Sequence, residues 1–60
     1  MRDPERLDDF YEEMKNIHKE KLPDWRFGQL MYNFFCEVGD PFYWEESRFL
    51  KELKNYVDNL

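Results

Sequence analysis

The sequence predicts an all-α fold: one small three-helix domain over residues 1–60, with the second helix central and an aromatic turn before the third. Three observations point there. Apolar residues recur at three- and four-residue spacing in three separate stretches. Proline and glycine breakers divide those stretches at Pro23 and at Gly39-Asp40-Pro41. No alternating run is long enough for a strand.

The first stretch predicts a helix from about Pro4 to Lys21, with Asp3 as N-cap and Pro4 at the first helical position, where its missing N–H costs nothing. Leu7, Phe10, Met14 and Ile17, joined by Tyr11 and His18, fall on one face, which is expected inward. Acids crowd the first half and Lys15, Lys19 and Lys21 the second, complementing the helix dipole at both ends. Pro23 disfavours helical geometry at Leu22 and ends the segment.

The second helix is expected from Asp24, as N-cap, to about Val38, with Gly39 placed for a left-handed C-terminal turn. Phe27, Leu30, Met31, Phe34, Phe35 and Val38 form its main apolar stripe. Trp25, Tyr32 and Cys36 project onto an adjoining sector, so more than half the circumference is apolar or aromatic. That breadth is what makes this helix the central one. Gly28 is a poor helix former, which suggests that another backbone or an aromatic ring approaches closely there.

Asp40 to Ser47 reads as a turn, with Asp40 capping a short segment opened by Pro41. Phe42, Tyr43 and Trp44 follow directly, and three consecutive aromatics are expected to fold back over the core. The third helix starts at about Glu45 or Ser47 and runs to the end, with Phe49, Leu50, Leu53, Tyr56, Val57 and Leu60 inward and a fraying last turn.

Composition narrows the chemistry. A 60-residue domain buries only about 60% of its unfolded surface, so it needs a staple or dense packing. Cys36 is the only cysteine and His18 the only histidine, which excludes an internal disulfide and a four-ligand zinc set. Dense packing by six Phe, four Tyr and two Trp, or self-association, is what remains. No apolar run approaches the ~20 residues of a membrane span, and the first residues lack the apolar stretch of a signal peptide, so a cytoplasmic protein with no membrane partner is expected. A formal charge of −5 repels phosphate backbones and makes nucleic-acid binding unlikely.

Arg26, Gln29 and Asn33 share one face of the second helix. That face either presents a cation and two amides to a partner, or is satisfied internally, with Arg26 paired to Asp40, Glu45 or Glu46. The internal clasp is preferred, because a polar ridge on a mostly buried helix has to find partners. Trp25, Tyr32, Tyr43 and Trp44 are the interface candidates by residue type, but in a chain this small the core is the preferred place for the same rings. If the neighbouring helices cover only the main stripe, the second sector is free for a symmetric dimer.

His18 is read as a core-edge histidine and Cys36 as a half-buried thiol, since neither has a catalytic neighbour placed by sequence. Adjacent carboxylates such as Asp8-Asp9, Glu12-Glu13 and Glu45-Glu46 diverge by 100° on a helix and do not converge on a metal. The expectation is therefore no catalytic residue, no cofactor, no metal and no enzyme.

The stretch Pro23-Asp24-Trp25-Arg26-Phe27-Gly28-Gln29-Leu30-Met31-Tyr32-Asn33, followed by Asp40-Pro41-Phe42-Tyr43-Trp44-Glu45-Glu46, resembles a group of short uncharacterised bacterial and phage proteins. Their pattern is P-D-x-R-x-G-Q-L-x-x-N, then D-x-F-Y-x-E-D, and this chain has Glu46 in place of the final Asp. The resemblance implies bacterial or phage origin and a cytosolic setting, and transfers no activity. What remains is a protein–protein interaction or regulatory adaptor, with an acidic nucleic-acid mimic and a small helix-turn-helix-like nucleic-acid binder as alternatives.

Overall fold

A computed structural model describes residues 2–60. Three helices follow one another: α1, Arg6–Lys21; α2, Phe27–Val38; and α3, Glu46–Asp58. No strand is present among the described residues.

Helix α1 is entered through a tight turn. The Glu5 N–H donates to the Asp3 carboxylate at 2.9 Å, and the N–H groups of Arg6, Leu7 and Asp8 each reach the carbonyl three residues back. The N-cap residue of α1 is therefore Glu5, without a side-chain cap, rather than Asp3, and Pro4 lies before the helix; Asp3 instead closes a turn ahead of it that is wound more tightly than an α-helix. At its other end the Leu22 N–H bonds the His18 carbonyl.

The start of α2 differs from expectation. Asp24 does not cap it; Pro23, Asp24 and Trp25 form a turn closed by the Trp25 N–H on the Leu22 carbonyl, and the helix opens at Phe27 with extended Arg26 as its N-cap residue. A first bend of the chain after Leu22 is needed before α2 can run back along α1, and it takes up residues 23–26. Gly39 ends α2 with φ at 90° and ψ at −161°. The positive φ is as expected, but the ψ is extended rather than left-handed helical, a region essentially reserved for glycine.

Pairings between α1 and α3 keep a nearly constant sequence offset: Arg6 with Glu46, Phe10 with Phe49, Glu13 with Lys54. A constant offset means the two helices run parallel. Helix α2 runs back between their ends, its start beside His18 of α1 and its end beside Trp44 and Phe49. The bundle is up-down-up, 35 × 23 × 18 Å.

Each helix gives two buried residues to one core: Met14 and Ile17, Leu30 and Phe34, Leu53 and Val57. Phe34 is fully enclosed, with ring centroids of Phe49, Tyr56, Phe35 and Trp44 at 5.3, 5.5, 5.6 and 6.3 Å. The rings meet tilted or edge to face, the arrangement their quadrupoles favour. Helix α2 supplies the centre of this core through Leu30 and Phe34, while α3 is the helix that packs against both others.

Five assignments are corrected, the first being Phe27, placed in the main stripe of α2 but exposed at the first residue of that helix, beside His18 rather than inside the core. Tyr11 is exposed, because the buried stripe of α1 is centred on Phe10, Met14 and Ile17, about 90° round the helix from Tyr11. Leu60 is exposed beyond the end of α3. Cys36 is exposed on the outer side of α2 rather than half-buried. Gly28 has open space: a Cβ built there meets nothing within 4 Å, so no ring or backbone of this chain approaches it.

Candidate interaction surface

The connection from Gly39 to Glu45 carries the most exposed aromatic rings. The Asp40 carboxylate accepts the Phe42 N–H at 3.0 Å, and the Trp44 N–H returns to the Pro41 carbonyl at 2.9 Å. These two bonds fold residues 40–44 into a compact turn. The expectation that all three rings fold over the core fails at two of them. Phe42 is 76% and Tyr43 is 91% exposed, and their rings pack on each other edge to face at 4.8 Å. The reason is geometric: residues 42 and 43 are the tip of a turn whose base alone touches the bundle.

Trp44 is that base. It is half-buried against Phe34 and Phe49, and the Arg48 guanidinium lies over its outer face at 4.5 Å. Immediately after it, two ion pairs tie the start of α3 to the N-terminal segment. The Arg2 guanidinium donates to Glu45 at 2.5 Å, and Nε of Arg6 donates to Glu46 at 2.5 Å. The Arg6 hydrogen bond is the main reason the Glu46 carboxyl sits below its ordinary 4.5, and the charges of Arg6 and Arg2 add to it while partial burial opposes.

The carboxylates foreseen for a clasp are therefore engaged, but not by Arg26. Arg26 and Asp40 flank opposite ends of α2, a helix of 12 residues, or about 18 Å, which no arginine side chain spans. The parallel packing of α1 on α3 brings Arg6 to the place instead. Arg26 and Gln29 are exposed and Asn33 is half-buried; among the described residues none of the three makes a side-chain hydrogen bond or ion pair. The four aromatic candidates divide evenly. Trp25 and Trp44 pack against the core, while Tyr32, 70% exposed, and Tyr43 face outward.

His18 is half-buried, and its Nε2–H donates to the Trp25 carbonyl at 2.6 Å, pinning the α1–α2 connection. Among the described residues no group of three or more His, Cys, Asp or Glu is placed to hold a metal ion, and no helix is long and apolar enough to cross a membrane. Of the cations on α3, Lys54 pairs with Glu13 and Arg48 lies on Trp44, while Asn55 bonds Asn59.

Phe42 is an exposed ring of this turn that sequence reasoning missed. The Asp-Pro pair before it was the available signal, since an Asp side chain that closes a turn on the second residue after it leaves that turn's tip outside the packed helices.

The class of molecule is a small up-down-up three-helix bundle with a braced aromatic turn at one end. No family model matches the chain, and no curated protein or solved structure matches it either.

Proposed function

We propose that this protein is a small protein-binding adaptor, cytosolic in setting and of bacterial or phage origin, that engages its partner through the Phe42–Tyr43 tip. The observation that carries this reading is the pair of rings left in water on a turn that is otherwise fully tied down. Exposing two aromatic rings side by side is unfavourable unless another surface covers them, and rigid Tyr and Phe side chains lose little conformational entropy on binding. The turn is held at both ends, by Asp40 and Pro41 on one side and by Trp44 with the Arg2–Glu45 and Arg6–Glu46 pairs on the other. The tip is thus presented in one orientation before any partner arrives. Its partner would carry an apolar pocket for one ring with polar groups at the rim for the Tyr43 hydroxyl.

The test is site-directed photo-crosslinking in extract of the cell that encodes the chain, with the crosslinker at position 43 and, as control, at position 8. A protein captured from position 43, absent from position 8 and lost when Phe42→Ala is added to the position-43 chain without change in its unfolding temperature, supports the reading. Capture that ignores Phe42→Ala refutes it.

A further inference from the structure

Helix α2 has an outward face that water alone does not explain. Of its 12 residues only Glu37 is charged, in a chain whose residues are 38% charged. Gly28, Tyr32 and Cys36 follow one another at four-residue spacing down the middle of that face, all three exposed, with Gln29 beside them and half-buried Met31 and Phe35 along one edge. Gly28 adds an independent observation. It has no positive φ, and the position where its Cβ would stand is open, so neither backbone strain nor packing within the chain calls for glycine in a helix that glycine weakens.

We propose that this face is where a second copy of the chain docks, α2 against α2 across a two-fold axis close to Tyr32. Charge narrows the contact. Each copy carries −5, so two copies repel, and the α2 face, where Glu37 is the only charged residue of the helix, is the helix surface on which they approach at the lowest cost. The pattern of the row selects the geometry. It is small, large, small about Tyr32, so it maps onto itself when a second helix is laid antiparallel upon it, as an isologous contact requires. Helical side chains lean toward their own N-terminus, so the two Tyr32 rings lean in opposite directions. Each then lies over its own Gly28 and Cys36 of the second copy, where the missing Cβ gives the ring its room.

Size sets the strength. A standard interface takes about 800 Å² per partner, and this chain exposes 4917 Å² in all. One helix about 18 Å long supplies less than that, so the dimer is weak, with Kd on the order of 10–100 μM.

Sedimentation equilibrium from 5 to 500 μM tests it, beside thermal unfolding at 5 μM. A monomer–dimer equilibrium is expected, tightening as salt is raised because screening removes the repulsion between like-charged copies. Tyr32→Arg sets two like charges at the axis and should weaken dimerisation at least tenfold. Gly28→Leu should do the same while raising the unfolding temperature of the dilute monomer, opposite effects that a purely structural glycine would not give. Phe42→Ala/Tyr43→Ala should leave the dimer intact, which separates this contact from the partner-binding tip. A chain that stays monomeric at 500 μM, or a dimer indifferent to both α2 substitutions, overturns the proposal.

Discussion

Replacing Phe34 by alanine should bring this domain to the edge of unfolding. The side chain is fully enclosed and meets four other rings at centroid distances of 5.3 to 6.3 Å. Removing a buried phenylalanine costs about 3–5 kcal/mol, from lost transfer free energy and from the cavity left behind. Here the cavity can close in part, because Phe35, Phe49 and Trp44 are only half-buried and can shift inward, so about 4 kcal/mol is the working figure. A chain of 60 residues has about 3–9 kcal/mol of stability in all. One substitution therefore removes from somewhat under half to all of it, and the midpoint should fall by about 15–30 °C. Urea unfolding followed by far-ultraviolet circular dichroism measures it, with two controls. Phe34→Leu keeps most of the volume and should cost about 1 kcal/mol, and Phe42→Ala deletes the same ring from solvent and should lie within about 0.5 kcal/mol of the parent. If Phe34→Ala and Phe42→Ala prove equally costly, the placement of these two rings, and the reasoning built on it, is wrong.

Other expectations can be checked in the same way. Arg6→Ala should lower the unfolding temperature measurably at pH 7 while Arg26→Ala leaves it unchanged. The Glu46 carboxyl is lower in the folded state than its ordinary 4.5, so its contribution is complete above that value and disappears as pH falls through the folded-state value. Arg6→Ala and the parent should thus converge in strongly acidic melts. Gly39→Ala should cost about 1–3 kcal/mol through backbone strain alone, since φ is 90° and the space around it is open; a neutral outcome in chemical denaturation would contradict that geometry. His18→Ala should cost about 1 kcal/mol and speed amide exchange at Trp25.

Much of the architecture was legible from residue spacing. The helical period of Phe10, Met14 and Ile17, of Leu30 and Phe34, and of Leu53 and Val57 reports directly which side of each helix leaves water, because burial acts on a face that recurs every 3.6 residues. Pro23 and Gly39 marked the two breaks, because their φ restrictions or freedoms act locally and need no partner. The aromatic turn was recognised as a turn on the same local grounds, with Asp40 bonding to Phe42 as its position implies.

The identity of the clasp, the exposure of the tip and the open face of α2 depend on how the helices lie against one another. The amino-acid order places Arg26 nearer than Arg6 to the carboxylates of residues 40–46, and only the parallel packing of α1 on α3 puts Arg6, forty residues from Glu46, beside it instead. Likewise, three consecutive rings look alike as a string, and the bundle decides that Trp44 reaches the core while Phe42 and Tyr43 do not. Periodicity is a property of one helix and can be read along the chain. Which surfaces two helices spend on each other, and which they leave to water or to another molecule, is settled only when all three compete for the same small core.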